Sequence, residues 1–245
     1  MPTELILYPL LLLPVAAFFY ASVGHGGASS YLMILALTGF APEEIRPTAL
    51  TLNIIVSLVA FLNHRKSCIF PSKLFWQLAV FSIPAAFVGG LIVVDTAIYM
   101  NILGVLLLFP ILQFLGVFPK NNIGFVDQNV WLPPVIGILI GFVSGLIGIG
   151  GGIILSPLLL MLGWTNIRET AALSALFIFV NSVAGYIGTV GFDLSFDRTL
   201  WIFIPPTILA GMLGSYYGAR RFNVTIVKHL LTLVLAGAAF KLILT

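Results

Sequence analysis

Charge is what this 245-residue chain has least of. Asp, Glu, Lys and Arg make up 8% of it, against about 25% in a water-soluble domain, too little polar surface to cover a globule in water. Three histidines lie far apart, and neither His-Glu-x-x-His nor Gly-x-Ser-x-Gly occurs, so the ligand set of a zinc hydrolase and the activated serine of an esterase are both missing. An enzyme is not expected, and neither is a cofactor. No nucleotide-binding phosphate loop is present, so any energy must come from a gradient or a partner. The single cysteine, Cys68, permits no internal disulfide and no cysteine metal cluster, and reads as a loop residue. The net charge of +3 comes from Lys and Arg grouped in short loops, the mark of cytoplasmic loops rather than of a nucleic-acid surface. Met1–Ser22 has no Lys or Arg ahead of its apolar core, only Glu4, so it reads as a structural helix and not a cleaved leader.

Apolar residues, in contrast, make up 60% of the chain. The runs Leu5–Val23, Leu74–Val94, Tyr99–Val117, Leu132–Ile147, Ala171–Val190, Leu200–Tyr217 and Ile226–Leu244 approach the roughly 20 residues that span a bilayer as helix. Strands of a barrel would alternate polar and apolar with a period of two, which these runs do not. An all-α integral membrane protein is expected.

Two stretches interrupt the apolar pattern in the same way. Gly148-Ile149-Gly150-Gly151-Gly152 stands between Leu132–Ile147 and Ile153–Leu162. Each interior glycine costs a helix roughly 1 kcal/mol relative to alanine, so this density marks a break. Gly24-His25-Gly26-Gly27 lies 124 positions earlier. At that offset Phe18, Gly24, Gly26, Gly27 and Gly39 meet Phe142, Gly148, Gly150, Gly151 and Gly163. At 122, Ile45, Arg46, Thr48 and Ala49 meet Ile167, Arg168, Thr170 and Ala171; at 121, Ile83, Pro84 and Gly90 meet Ile204, Pro205 and Gly211. The expected organisation is a first repeat over residues 1–117, a polar cytoplasmic linker over 118–129, and a second repeat over 130–245.

The loops His64–Lys73 and Arg220–Lys228 are the richest in positive charge and should be cytoplasmic. Counting outward places the N-terminus, the Arg46 loop and Phe192–Arg198 outside, and the Arg168 loop inside. Cysteines at Ser67 and Asn223 should then be shielded from an impermeant reagent outside intact cells, and one at Asp193 should react. With five segments per repeat the halves have opposite orientation, the inverted-topology design of many secondary transporters. The second segment of each half has only about 10–13 residues, about 20 Å at most, too short for a 30 Å core. Segments 1–2 and 6–7 are therefore expected to form broken or re-entrant hairpins whose glycine turns approach within about 15 Å of each other near the midplane.

Unwound backbone at that depth persists only where it lines a cavity or is buried in protein. Helices starting after Gly27 and Gly152 would point N–H groups and about half a positive charge each at the gap, an anion site without a full cation. Candidate substrate-binding residues are Gly24, His25, Gly26, Gly27 and Ser29 from the first turn and Gly148, Gly150, Gly151 and Gly152 from the second. Asn53, sharing a face with Ser57, and Ser174 and Asn181 join them from polar faces of segments 3 and 8; those faces either line a path or bond helices together. Small residues at the turns have an alternative use in close helix packing. His25 is the one ionisable side chain placed in the core, either titrating or simply packed. Arg46 and Arg168, each just before a helix, recruit anions or gate at the two mouths, or else pair with Glu44 and Glu169. Trp76, Trp131, Trp164 and Trp201 read as interfacial anchors, and Pro84 and Pro205-Pro206 as kinks.

The Gly-Ile-Gly-Gly-Gly motif followed by Ser156-Pro157, Gly163, Thr170-Ala171 and Asn181-Ser182, with its inverted copy upstream, resembles the TauE/SafE sulfite exporter family of bacterial and archaeal membrane proteins. The resemblance covers nearly the whole chain. It implies a transporter of small sulfur-containing anions such as sulfite, sulfoacetate or other organosulfonates; a passive anion channel of the same architecture is the alternative. The partners would be a small inorganic or organic anion and the lipid bilayer, with no nucleic acid, and a homo-oligomer is compatible with the sequence. Here His25 stands opposite Ile149 and Ala28 opposite Gly152. If the glycine turns hold the anion, a valine at Gly151 should block transport more than a glutamine at Arg168.

Overall fold

The computed structural model describes residues 3–40, 42–114, 130–191 and 198–218. Among them the secondary structure is helical: α1 (Thr3–Ser22), α2 (Ala28–Leu37), α3 (Pro42–His64), α4 (Ser72–Leu91), α5 (Thr96–Phe114), α6 (Leu132–Ile147), α7 (Gly152–Met161), α8 (Ile167–Val190) and α9 (Arg198–Gly218). A 3-10 turn, Arg65–Ser67, ends α3. The expected linker 118–129, the Asp193 loop, the Arg220–Lys228 loop and the tenth segment lie outside the described residues. Helices α3, α4 and α8 are long and apolar enough to cross a membrane, and the chain is a multi-pass membrane protein.

Helix α3 starts earlier than expected. The expected Arg46 loop is helical from Pro42 onward. Proline suits a first helical position, and Glu43 and Glu44 put negative charge against the positive helix end. Arg46 is consequently inside the helix and not ahead of it.

The fold is apolar outside and polar at its centre. Outward faces carry Leu7, Leu11 and Val15 of α1, Trp76, Val80 and Phe87 of α4, Leu139 and Phe142 of α6, and Leu209 and Leu213 of α9, all exposed as lipid-facing residues should be. Inside, Asn53, Ser57, Ser174, Asn181 and Ser182 are fully buried. Helix α8 is the central element, and α3 packs along it, with α4 and α9 flanking the pair. Helix α6 lies along α4, and α1 along α9. The α6 contact depends on Gly137, Gly141 and Gly145, four residues apart on one face. A methyl at these positions would overlap the carbonyls of Leu78, Ser82 and Ala86, the close backbone approach typical of small residues in membranes.

Trp164 departs from expectation. Three of the tryptophans are exposed, but Trp164 is 4% exposed and packs with Leu159, Leu173 and Phe177. The turn Leu162–Gly163 folds it inward, with its backbone N–H bonded to Leu159 O.

Candidate functional site: two glycine turns on a shared asparagine

Both interruptions form by the same backbone device. At the end of α1 the N–H of His25 bonds Tyr20 O, and at the end of α6 the N–H of Ile149 bonds Ser144 O, pairs that are 124 residues apart in sequence. Helices α2 and α7 then begin at left-handed glycines, Gly27 (φ 96°) and Gly151 (φ 77°). Each helix has 10 residues, about 15 Å, half of what a bilayer core requires.

The turns meet at the middle of the molecule. A methyl on Gly26 would overlap Asn53 Oδ1 and come within 3.1 Å of Ile178 Cγ2; one on Gly150 would press on Asn53 Nδ2 and come within 2.9 Å of the same Ile178 atom. Asn53 is the twelfth of 23 residues of α3, and Ile178 the twelfth of 24 of α8. One amide and one isoleucine, each at the mid-length of a central helix, therefore separate the two turns.

Buried backbone at such a break must find partners, and side chains supply them. Tyr31 OH donates to Gly26 O (2.7 Å), Tyr99 OH to Ile147 O (2.9 Å), and Asn53 Nδ2 to Ile149 O (3.3 Å) and Ser182 Oγ (2.9 Å). His25 joins the first turn to α7 and α8: Nδ1 is 3.2 Å from Val23 O and Nε2 is 3.0 Å from Ser156 Oγ, which is 2.8 Å from Ser174 Oγ. Ser29 Oγ donates to Tyr20 OH (3.1 Å). Asn53 Oδ1 is buried with no partner, facing Gly26.

Tyr20, His25, Gly26 and Ser29 face Ile149, Ile153 and Ile178 across a cavity of about 10 Å³, room for about one water molecule. Ile178 fills the rest of the gap. A groove of about 510 Å³ between α4 and α8, lined by Phe87, Val180 and Ile187 among others, is apolar, an environment in which an anion would lose its hydration without compensation.

The structure thus brings together Gly24, His25, Gly26, Gly27, Ser29, Asn53, Gly148, Gly150, Gly152 and Ser174 from the sequence-predicted set. Gly24 packs on Ala171, and Gly152 on Ile178. Two members lie differently. A side chain on Gly151 would meet Ile140, Phe177 and Ser144, so it points into the α6–α8 packing and a valine there would disturb the fold rather than block the gap. Asn181 bonds Phe177 O within α8 (2.8 Å), and its neighbour Ser182 is the residue that reaches Asn53. Ser156, Ser182 and Ile178 also face the turns; serines and an isoleucine in apolar helices give no local signal of the partner they face.

The two arginines diverge. Arg46 is 6% exposed and donates to Ile92 O (3.0 Å), Gly90 O (3.1 Å), Gly145 O (3.0 Å) and Thr189 Oγ1 (3.3 Å). It thus draws together the C-terminal ends of α4, α6 and α8, whose partial negative charge suits a cation. All four acceptors are carbonyl or hydroxyl oxygens. So enclosed, the side chain acts as a clamp between those helix ends. Arg168 is exposed, and Glu169 serves the N-cap of α8 instead of pairing with it, accepting from Asn166 N (2.9 Å) in a capping box.

Comparison with known proteins points to one family. A family model described as Sulfite exporter TauE/SafE matches residues 10–242. The chain is 30% identical over 234 residues to the probable membrane transporter protein y4hK of Sinorhizobium fredii, covering 94% of both chains. It is 29% identical over 145 residues to a probable membrane transporter protein of Methanocaldococcus jannaschii, covering 57% of this chain and 53% of that one. No solved structure matches. With the family model spanning nearly all of its helices, glycine turns included, the chain belongs to the TauE/SafE sulfite exporter family.

Proposed function

We propose that this protein is a secondary transporter of small sulfur-containing anions, sulfite, sulfoacetate or other organosulfonates, held between the two glycine turns. The observation that carries this reading is the convergence of Gly26 and Gly150 on Asn53 at the mid-length of the central helices. The N-termini of α2 and α7 face the same gap, and each supplies about 0.3–1 kcal/mol to an anion, nearer 2 when partly buried. Two such ends give weak binding, suited to cargo that must be released. The small cavity favours a carrier over a passive channel, because a channel needs a continuous path, whereas a carrier passes through a closed state.

The reading extends to two inverted repeats, 1–117 and 130–245, joined by 118–129. Contacts that exchange under the repeat support it: α1 with α9 against α6 with α4, α3 with α9 against α8 with α4, and α2 with α3 against α7 with α8. The turn after α3 packs near the start of α8, consistent with both lying on the cytoplasmic side.

Transport is tested in proteoliposomes loaded with unlabelled sulfoacetate or sulfite, by counterflow of the labelled anion. Saturable counterflow is expected; flux that never saturates would favour the channel, and none for any sulfur oxyanion would sink the substrate class. Orientation has its own check in the native Cys68. An impermeant maleimide should label it in inside-out vesicles and not in intact cells. Burial, with Glu169 adding to it and Arg168 opposing, pushes the Cys68 thiol up. Only the thiolate reacts, so labelling should accelerate about tenfold per pH unit from neutral pH upward. Labelling in intact cells would invert the topology.

A further inference from the structure

We propose that His25 carries a proton together with the anion, using the hydroxyl of Ser156 as the partner that lets it change charge in place. The inference deepens the transport reading above and rests on it. The hydrogen bonds decide which charge states the site can hold. Val23 O, 3.2 Å from Nδ1, can only accept, so Nδ1 keeps its hydrogen throughout. Nε2 faces Ser156 Oγ at 3.0 Å, and a hydroxyl can donate or accept. Ser156 Oγ also lies 2.8 Å from Gly152 O and 2.8 Å from Ser174 Oγ.

In the neutral state Ser156 donates its one hydrogen to Nε2. A proton arriving at Nε2 reverses that bond: Nε2–H donates to Ser156 Oγ, and the Ser156 hydrogen turns to Gly152 O. One proton is gained, at Nε2; each hydroxyl keeps its own hydrogen; the ring gains one positive charge and no heavy atom moves. A carbonyl at both ring nitrogens would demand a permanent cation, and a fixed N–H at Nε2 would forbid one. This arrangement permits either.

Position supplies the coupling. His25 lines the small cavity with Gly26, Gly27 and Ser29, at the N-terminus of α2. The helix end that attracts an anion repels an imidazolium. A buried unpaired charge is costly, but a protonated His25 offsets one negative charge of an anion beside it. Each therefore strengthens the binding of the other, and by linkage the effect is equal in both directions. Among the described residues, titratable groups near His25 include Tyr20 of α1, whose hydroxyl accepts from Ser29, and Tyr31 of α2, bonded to Gly26 O; phenols stay neutral near pH 7. The other polar neighbours, Ser156 of α7, Ser174 of α8 and Asn53 of α3, do not titrate.

The test uses proteoliposomes with a trapped pH-sensitive dye and sulfoacetate, whose sulfonate stays ionised. Sulfoacetate entering through the wild-type protein should acidify the lumen, and an inward proton gradient should drive its accumulation. In H25Q, whatever flux remains should move no protons and ignore the gradient. Sulfoacetate entry without acidification in the wild type, or acidification persisting in H25Q, would overturn the proposal. A wild-type protein that moves no sulfoacetate sinks that substrate on its own. Histidine 15N spectra in nanodiscs then decide the proton role: a His25 ring that gains its second proton between about pH 5 and 8, the range of ordinary imidazoles, upholds it, and one that stays neutral throughout overturns it. S156A, which removes the reversible partner, should move that titration.

Discussion

Gly26→Ala is expected to cut transport by about one to two orders of magnitude while leaving the backbone conformation available. The position does not have a positive φ, so alanine meets no torsional objection there, and the effect is steric. The new methyl overlaps Asn53 Oδ1, and the amide cannot swing aside without losing its bonds to Ile149 O and Ser182 Oγ. Overpacking of this kind costs about 1–3 kcal/mol, which corresponds to roughly ten- to hundredfold at 1.4 kcal/mol per decade. Counterflow of sulfoacetate should fall by that order. The double variant Gly26→Ala/Asn53→Ala should recover much of the melting temperature, since removing the amide opens the space the methyl needs. Gly191→Ala is the control: its φ of 66° and ψ of −140° lie where other residues are rare, but nothing lies within 4 Å, so only a torsional cost of about 1–3 kcal/mol is expected and transport should persist. If Gly26→Ala transports normally, the anion does not pass between the turns.

The second large effect belongs to Arg46. Arg46→Met removes the donors to Gly90 O, Ile92 O and Gly145 O, and each buried acceptor left unpaired costs about 1–3 kcal/mol. A loss of several kcal/mol should lower the melting temperature in detergent by on the order of 10 °C. Arg46→Lys should fall between, because one ammonium cannot span acceptors on three helices as a planar guanidinium does. Arg168→Gln, at the repeat-equivalent position but exposed, should change stability by no more than about 0.5 kcal/mol. Thermal unfolding followed by size-exclusion chromatography separates these cases. Equal losses for the two arginines would mean that the clamp at the C-terminal ends of α4, α6 and α8 is not what holds them.

Element lengths and interruptions were legible in the sequence because they are local properties of the chain. An apolar run such as Leu132–Ile147 becomes a helix of those same bounds, and clustered glycines end it wherever it packs. Paired residues at offsets of 121–124 were legible too. The family followed from those letters.

Direction and partnership were decided only by the tertiary structure. Successive residues on a helix point about 100° apart, so Ser182 reaches Asn53 while Asn181 turns back on its own helix, although both are polar. Gly151 and Gly150 are adjacent, yet one faces Ile140 and the other the asparagine. Arg46 and Arg168 match in the repeat, but the carbonyls that enclose Arg46 come from residues 44 to 99 positions away, and His25 meets Ser156 across 131. No pattern along the chain encodes such distances; they arise when packing of α3 and α8 brings the two halves onto each other.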